Sequence, residues 1–344
     1  MKINFQLHQG ENCRFVSVKT NYLIAALLLL FFTSCRKQNP HSYTFYYWKT
    51  TLQLDSTEKS ALQDAKVPEL YTRFFDVDKT NGKFQPIGII TKDSTFITDK
   101  KIVPVVFITN KSFLNIQPKE ISFLAKSISD LIERKSKELN LQTTNEIQID
   151  CDWTAGTKKD YFAFLQELKE ISNKNITSTL RLHQVKDKGE MGIPPVDKVY
   201  LMCYSTSSPL ENSDKNSILD LPLLKTYLRR LDDYPIKKMA VALPIYSWAI
   251  VSNHVGKHRL INGVSEKDLQ NPNFRRISKN HVEVRKDGFY FGHFLNKGFT
   301  IKVEQIEDDQ LDEAVHFINR KREDYSIVYY QLDHKFIENH NLTR

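Results

Sequence analysis

Residues 146–154 read EIQIDCDWT, and the rest of the chain is best understood around this stretch. Apolar and polar residues alternate along it, which indicates a β-strand, because successive side chains of a strand point to opposite faces. Asp150 and Asp152 are therefore expected on the same face. Two neighbouring carboxylates repel each other, and the pKa of one of them tends to rise. The stretch thus predicts a strand that carries a functional site.

The composition is that of a folded protein with a large core. The chain has 344 residues, of which 40% are hydrophobic. Its formal net charge of +8 is spread along the chain without a dense block of Lys and Arg, so no nucleic-acid partner is predicted. Weak attraction to anionic membrane or glycan surfaces is compatible with this charge. No cofactor is predicted, because no glycine-rich phosphate-binding loop is present in the sequence.

The first 34 residues have the pattern of an export signal. An apolar run over residues 23–32 is too short to span a bilayer as a helix. Two small residues follow it and precede Cys35. The segment resembles the lipobox of bacterial lipoproteins, which implies cleavage before Cys35 and a diacylglyceryl group on its sulfur. An ordinary signal peptide that ends near a cysteine is the alternative.

The lipoprotein interpretation also predicts a location. Residues 1–34 would be removed as the signal peptide, and residues 35–42 would tether the folded part to a membrane of the bacterial cell envelope. Residues 36–38 read RKQ and lack the acidic run that favours surface display. We therefore expect the protein to be lipid-anchored and to face the periplasm.

Strands and helices alternate after residue 42. Strands are predicted at 43–48, 69–78, 102–109, 146–154, 177–184, 198–204, 237–246 and 325–332, and helices at 56–66, 118–139, 158–172, 219–231 and 308–320. Such alternation favours a parallel sheet, and eight strands in about 300 residues fit a closed barrel. We therefore predict the α/β class with a single (β/α)8 TIM barrel over residues 43–335 and a C-terminal tail over residues 336–344.

A long excursion, over about residues 249–306, separates the seventh strand from the last long helix. It contains several β-prone segments, including FYF at 289–291 and FTIKV at 299–303. Connections of this length are usually functional. We predict a small β-rich insertion beside the C-terminal mouth of the barrel, where enzymes of this architecture bind their substrates.

Three predicted strands together resemble those of the family 18 glycoside hydrolases, the chitinase-like barrels. IDCDW at 149–153 resembles the signature of their fourth strand, LMCY at 201–204 the Met-x-Tyr of the sixth, and ALPIY at 242–246 the Gly-Leu-Pro-x-Tyr of the seventh. The resemblance implies a barrel that takes a glycan, such as a chitin or peptidoglycan fragment. The chain also resembles uncharacterised lipid-anchored barrel proteins of bacteria, and this resemblance implies no activity.

The chain departs from the family pattern at one decisive position. The signature continues Asp-x-Asp-x-Glu in that family, and its Glu protonates the leaving oxygen. The matching residue here is Thr154, whose hydroxyl cannot replace a carboxylic acid. The resemblance implies that Asp152 orients an N-acetyl group of the substrate, which is the nucleophile in that family. We therefore expect a degenerate site, and whether the protein is an enzyme stays open at this point.

Neighbouring strands supply further candidates. Leu180 and Leu182 should pack on helices, which would direct Arg181 and His183 into the barrel. A structural role is the alternative, because Arg181 could simply neutralise a carboxylate in a buried network. The candidate catalytic residues are Asp150 and Asp152, and the candidate substrate-binding residues are Tyr204, Tyr246, Arg181, His183, Trp48 and Trp248, with Arg73 or Asp76 added according to the phase of the second strand.

No metal site and no disulfide are predicted. His254 and His258 are four residues apart, but Gly256 lies between them and no carboxylate motif accompanies them. Cys151 and Cys203 each fall on the apolar side of a predicted strand, so we expect buried thiols.

Three functions are compatible with these features. The first is an envelope-anchored chitinase-like barrel that binds a glycan with weak or no hydrolysis. The second is an active glycoside hydrolase that uses Asp150 and Asp152 with an acid supplied by a loop, such as Glu190 or Glu211. The third is a structural envelope protein with a decayed pocket. A glutamate beside the two aspartates would favour the second, because glycosidases work with carboxyl pairs about 5 Å or about 8 Å apart.

Overall fold

The computed structural model describes residues 40–211 and 214–344. The predicted signal peptide and Cys35 lie outside the described residues, as does most of the predicted tether. The end of that tether is packed on the folded part, because the ring of His41 stacks on Tyr325 with 4.1 Å between centroids. Within the described ranges, no helix is both long enough and apolar enough to cross a bilayer.

Eight parallel strands close into a barrel. They are β1 (Tyr43–Tyr47), β2 (Glu69–Thr80), β3 (Lys101–Ile108), β4 (Glu146–Asp150), β5 (Asn175–Arg181), β6 (Lys198–Met202), β7 (Lys238–Pro244) and β8 (Ser326–Tyr330). Each strand pairs with the next one along the chain, and β1 pairs with both β2 and β8. The predicted fold class, a single (β/α)8 barrel, is confirmed.

Helices cover the outside of the barrel. The longer ones are α1 (Ser56–Asp64), α2 (Pro118–Glu138), α3 (Lys158–Ser172), α4 (Leu221–Tyr227) and α5 (Asp308–Asn319). Helix α3 shows why they form, since it buries residues at helical spacing, from Tyr161 to Leu168, against the barrel. Shorter α-helices span Leu182–Lys186, Lys188–Met191 and His334–Ile337, and 3-10 turns span Asn110–Phe113, Pro209–Glu211, Leu231–Asp233 and Glu266–Leu269.

Strand β2 continues into a hairpin. Asn81 and Gly82 both have positive φ, and the strand Lys83–Ile87 returns antiparallel to the outer half of β2. Two left-handed residues at an Asn-Gly turn match the twist of a two-residue hairpin, as the sequence predicts. A two-stranded parallel element formed by Thr51–Leu52 and Thr91–Lys92 lies outside the barrel sheet.

The insertion after β7 is β-rich, as predicted. Its five-stranded antiparallel sheet contains Trp248–Ser252, His258–Asn262, Phe274–Ser278, His281–Val284 and Thr300–Glu304, and a hairpin joins Gly288–Tyr290 to His293–Leu295. The hairpin contributes Tyr290 and Leu295 to an apolar core beneath the sheet, where Val251 and Ile301 are also buried. The insertion therefore has a core of its own.

Strands β4 and β5 end earlier than the alternation predicts. Beyond Asp150 the chain turns, because the carbonyl of Thr154 accepts the N–H groups of Thr157 and Lys158 at the start of α3. Strand β5 stops at Arg181, whose backbone N–H donates to the side chain of Gln184 at 2.8 Å. In both places local hydrogen bonds compete with the strand ladder.

The C-terminal residues belong to the packed structure. The expected boundary at residue 335 falls within the short helix His334–Ile337. Further on, the hydroxyl of Tyr329 donates to the carbonyl of Leu342 at 2.9 Å, and the guanidinium of Arg344 lies 2.7 Å from the Asp308 carboxylate. Residues 336–344 therefore pack on the barrel.

Candidate functional site

A cavity of about 380 Å³ lies where the barrel strands end. We refer to it as the mouth cavity. Its position is that of the substrate sites of TIM-barrel enzymes, at the C-terminal ends of the strands. The lining residues are Trp48, Asp76, Phe107, Asp150, Arg181, Met202, Tyr204, Ser205, Tyr246, Ser247, Trp248, Asn262, Tyr330, Gln331 and Phe336.

The two aspartates of the opening stretch have different partners. Asp150 is only 5% exposed, and its Oδ1 accepts a hydrogen bond of 2.7 Å from the hydroxyl of Thr179 on β5. Asp152 follows the end of β4 and is half-buried, and its carboxylate binds the guanidinium of Arg181 through both oxygens, with 2.9 Å between Oδ2 and Nη2. Asp150 thus lies in the cavity wall, whereas Asp152 forms an ion pair beside it.

The acidity of Asp150 is shifted, and the main cause is burial. Loss of hydration raises the pKa of Asp150 to about 6, while the positive charge of Arg181 opposes this and the negative charge of Asp152 adds to it. Repulsion between the two aspartates was the cause expected from sequence, but it is a smaller contribution than burial. A carboxyl group with this pKa changes its charge near neutral pH.

Arg181 and Asp152 form a bidentate ion pair. Burial disfavours its charged form, but the hydrogen bond to Asp152 and the negative charges of Asp152 and Asp150 raise the pKa of Arg181 above its usual value. The guanidinium lines the cavity with its charge compensated by the two aspartates. It therefore presents N–H donors to the cavity while neutralising the neighbouring acidic groups.

Aromatic rings form much of the cavity wall. Trp48 and Tyr330 have ring centroids 5.6 Å apart, Tyr330 and Tyr246 5.5 Å, and Tyr246 and Trp248 5.2 Å. The rings come from the ends of β1, β7 and β8 and from the insertion. Such a series of rings offers flat apolar faces together with polar edges.

One hydroxyl in the wall has no partner. Tyr204 is 4% exposed, and its hydroxyl makes no hydrogen bond to any residue that the structure describes. Burial raises the pKa of Tyr204, so its hydroxyl stays protonated and able to donate. A buried hydroxyl without a partner is costly unless a water molecule or a ligand satisfies it.

Strand β2 contributes Asp76. A register shift between Arg73 and Phe75 interrupts the alternation, so the sequence pattern left the phase of this strand undecided. The structure places Asp76 in the cavity wall, and the Nε of Arg73 donates to its Oδ1 at 2.7 Å. Asp76 is therefore a second carboxylate in the wall beside Asp150, and like Asp152 it is paired with an arginine.

His183 and Thr154 lie outside the lining, as does the candidate catalytic residue Asp152. His183 is in the short helix Leu182–Lys186, so strand alternation does not apply to it, and burial and the charge of Arg181 lower its pKa. Thr154 is exposed in the turn before α3, with its hydroxyl 3.3 Å from that of Thr157. Neither side chain lines the mouth cavity.

No glutamate lines the mouth cavity among the residues that the structure describes. Glu190 is exposed in the helix Lys188–Met191, and Glu211 is exposed in the 3-10 turn Pro209–Glu211. Neither of the loop acids considered for a hydrolase is therefore in the cavity wall.

Several lining residues were not found from sequence. Asn262 comes from the insertion, where it pairs across strands with Trp248. Gln331 and Phe336 follow β8, and Tyr330 ends it. The aromatic end of the eighth strand is a signal that sequence reading could have used for Tyr330. Nothing local marks Asn262 or Phe336, since their positions depend on how distant elements pack.

Among the described residues, the group of side chains that could hold a metal ion lies outside the lining of the mouth cavity. Asp55, Glu58 and His334 place one ligand atom each within 4.8 Å of the others. Asp55 caps α1 by accepting the N–H of Glu58, whose carboxylate binds Lys49 and the N–H of Asp55. The group is thus used for helix capping and ion pairing. The thiols of Cys151 and Cys203 are buried and unpaired.

Comparison with known proteins identifies the fold. No family model matches the chain, and no curated protein sequence matches it. The spore cortex-lytic enzyme SleL of Bacillus megaterium superposes with a TM-score of 0.56 at 14% identity, over 88% of this chain and 75% of that one. SleL of Bacillus cereus gives 0.52 at 15% identity, over 88% and 73%. The C-terminal domain of a presumed chitinase of Desulfitobacterium hafniense gives 0.54 at 13% identity, over 88% and 97%.

These likenesses show that the chain has the TIM-barrel fold of these three structures. The fold resemblance to chitinase-like barrels, inferred from three short strand motifs, is confirmed. At such low sequence identity the likeness concerns the fold, and function has to be argued from the cavity.

Proposed function

We propose that this protein is a chitinase-like barrel that binds a glycan carrying N-acetyl groups in its mouth cavity, with weak or no hydrolysis. One observation carries the proposal. The cavity combines aromatic rings, a buried aspartate and an unpartnered tyrosine hydroxyl, and no glutamate lines it within the described residues.

The wall matches the chemistry of a sugar. Trp48 and Trp248 line the cavity, and the apolar faces of a pyranose can stack on indole rings. Asp150 is an acceptor for sugar hydroxyl or amide N–H groups, and Tyr204 and Arg181 are donors for hydroxyl or acetyl oxygens. A site with few polar groups among apolar walls is typical of small-ligand binding.

Hydrolysis of the family type requires an acid beside the glycosidic oxygen. Asp76 and Asp152 are each held by an arginine, and Asp150, with a pKa of about 6, is mostly ionised at neutral pH. Thr154, at the position of the family acid, lies outside the cavity lining. The described groups therefore support binding better than catalysis.

A second candidate is an active hydrolase at acidic pH. The raised pKa of Asp150 favours it, because a carboxyl group that is protonated below about pH 6 can act as a general acid. In that reaction Asp152 would keep the orienting role that the family resemblance implies. A structural envelope protein with a decayed pocket is the third possibility, and it requires that the cavity binds no glycan.

Binding and turnover by the same protein separate these functions. We expect the purified folded part, residues 36–344, to bind N-acetylglucosamine oligomers or peptidoglycan fragments in calorimetry while releasing no reducing ends at pH 5 or pH 7. Asp152→Asn is expected to weaken binding about tenfold, because it breaks the ion pair that holds Arg181 at the cavity. Phe123→Ala, on the exposed face of α2, is the matched control and should bind normally.

Two other outcomes would distinguish the alternative functions from glycan binding. Turnover by the unaltered protein that Asp152→Asn abolishes would establish the hydrolase and end the binding-only proposal. Absence of binding across a glycan panel, by a protein that unfolds cooperatively, would leave the structural role.

We also propose that the protein is anchored to the bacterial cell envelope through a lipid on Cys35, facing the periplasm. The support is the sequence pattern of residues 1–35. Expressed in a bacterial host, the full chain is expected in the membrane fraction, whereas Cys35→Ser combined with removal of residues 1–34 should leave the protein in the soluble fraction. Persistence of this variant in the membrane fraction would show that the lipid is not the anchor.

A further inference from the structure

Glu304 is a buried carboxylate at the end of the last strand of the insertion. Its side chain is 2% exposed, and it receives four hydrogen-bond donors. The indole N–H of Trp248 donates to Oε2 at 2.9 Å, the backbone N–H of Ser217 donates to the same oxygen at 3.1 Å, and the Ser217 hydroxyl donates to it as well. The ammonium group of Lys302 lies 2.8 Å from Oε1.

Strand register explains the contact with Trp248. Within the insertion sheet, Trp248 lies directly opposite Glu304 on one neighbouring strand and opposite Asn262 on the other. Directly opposed residues share one face of a sheet. Trp248 and Asn262 both line the mouth cavity, whereas Glu304 does not. Two members of this row of three residues therefore line the barrel mouth, and Glu304 lies at the N–H edge of the indole, outside the cavity lining.

The same carboxylate holds the loop that follows β6. Ser217 belongs to this loop, and its carbonyl accepts the hydroxyl of Thr206 at 3.3 Å. Thr206 is next to Ser205, which lines the mouth cavity. Glu304 therefore connects the insertion, the β6 loop and a cavity tryptophan.

We propose that Glu304 is the positioning residue of the glycan site, which fixes the indole of Trp248 in the cavity wall. This inference rests on the proposed glycan-binding function and names the residue that sets its aromatic wall. A buried carboxylate is tolerated only when donors compensate for its lost hydration. One of the donors to Glu304 is the indole N–H of Trp248. The orientation of Trp248 in the cavity wall is therefore the orientation that compensates the buried charge of Glu304.

Glutamine at this position would disturb the arrangement without changing its size. An amide has one acceptor oxygen and an NH₂ group that donates. The four donors around position 304 would then meet an NH₂ group in place of one oxygen, so at least one contact would be lost. Even where the amide oxygen takes the place of Oε2, the indole N–H of Trp248 exchanges a charged acceptor for a weaker neutral one. Glu283 offers a matched control, because it lies on the adjacent strand of the same sheet and pairs with Arg275 and not with Trp248.

A double-mutant cycle tests the proposal, with the tetramer of N-acetylglucosamine as the probe in calorimetry. Glu304→Gln is expected to weaken binding about tenfold, and Glu283→Gln should leave it unchanged. If Glu304 acts through the indole, Trp248→Phe combined with Glu304→Gln should bind no more weakly than Trp248→Phe alone. Losses that multiply in the double variant, or a Glu304→Gln variant that binds normally, would overturn the proposal.

A spectroscopic readout separates this inference from the proposed function. The indole ¹H–¹⁵N resonance of Trp248, assigned by its absence in Trp248→Phe, should shift in Glu304→Gln and stay in place in Glu283→Gln. If the unaltered protein binds no tetramer, the proposed glycan function is wrong. The shift of the indole resonance would still show whether Glu304 holds Trp248 through this hydrogen bond. An unshifted resonance would refute the positioning role. Should Glu304→Gln not fold, Glu304→Asp, which keeps the charge but withdraws the oxygens, is expected to show the same shift.

Discussion

Asp150→Asn is expected to stabilise the protein by about 3 kcal/mol at pH 8 and to change its stability little near pH 3.5. The reason is that Asp150 has a pKa of about 6 in the folded protein, raised mainly by burial, whereas an unfolded chain gives aspartate a pKa of about 3.9. Ionising this 5%-exposed carboxyl therefore costs free energy only in the folded state. Asparagine keeps the hydrogen bond from Thr179 without the charge.

The pH window follows from the direction of the shift. Between about pH 4 and pH 6 the folded state holds the proton of Asp150 more tightly than the unfolded state, so the contribution of Asp150 to the stability of the unaltered protein falls as the pH rises through this window. Above it the loss is complete, at about 1.4 kcal/mol for each of about two pKa units. The Asn variant lacks this decline, so the difference between the two proteins grows from about pH 4 to about pH 6.

Urea unfolding of both proteins from pH 3.5 to pH 8 measures this difference. Asp308→Asn provides a control of opposite sign, because hydrogen bonds from Asn341, His340 and Arg344 outweigh burial and lower the pKa of Asp308. That variant should lose stability at neutral pH and approach the unaltered protein in acid. Parallel stability curves for Asp150→Asn and the unaltered protein over pH 4 to 6 would show that Asp150 does not carry a raised pKa.

The same substitution connects stability with function. A group that destabilises the fold at neutral pH is typical of a binding or catalytic position. Under the proposed function, glycan affinity should rise as the pH passes through about 6, because an ionised Asp150 is the better acceptor. Asp150→Asn should bind more weakly and with little dependence on pH.

Trp48→Ala and Trp248→Ala are each expected to weaken glycan binding about 30- to 100-fold. A tryptophan ring that covers one face of a sugar removes on the order of 100 Å² of apolar surface from water, which is worth about 2–3 kcal/mol. The two indoles border the cavity at opposite ends of the ring series, Trp48 next to Tyr330 and Trp248 next to Tyr246. Both variants should release no reducing ends, as expected for the unaltered protein.

Calorimetry with the N-acetylglucosamine tetramer measures both losses. Phe123→Ala removes a ring that is 63% exposed on α2, away from the mouth cavity, and should leave the affinity unchanged. A change below about threefold in both tryptophan variants would rule out stacking on these rings. Since each indole is partly exposed, neither substitution should prevent folding.

The barrel could be predicted from the sequence because the patterns that indicate its strands and helices are local. Alternation within β4 and β5 identified Asp150 and Arg181 as inward-facing, and the structure places both in the cavity wall together with Tyr204 and Tyr246. The same alternation failed for His183, because a hydrogen bond from the Arg181 N–H to Gln184 ends the strand before it. A bulge in β2 likewise prevented the alternation from predicting whether Asp76 faces the interior of the barrel. Periodicity predicts a residue's face only as long as the strand continues.

Sequence alone therefore determined the alternating strands and helices, the closed barrel, the inward position of Asp150 and the absence of the family acid at Thr154. The tertiary structure decided which of these residues share a cavity, and it set their pKa values and hydrogen bonds. Burial by the surrounding strands sets the pKa of Asp150, and the hydrogen bond between Trp248 and Glu304 joins residues 56 positions apart. Hydration and contacts between distant segments are properties of the packed chain, so no local pattern could reveal them.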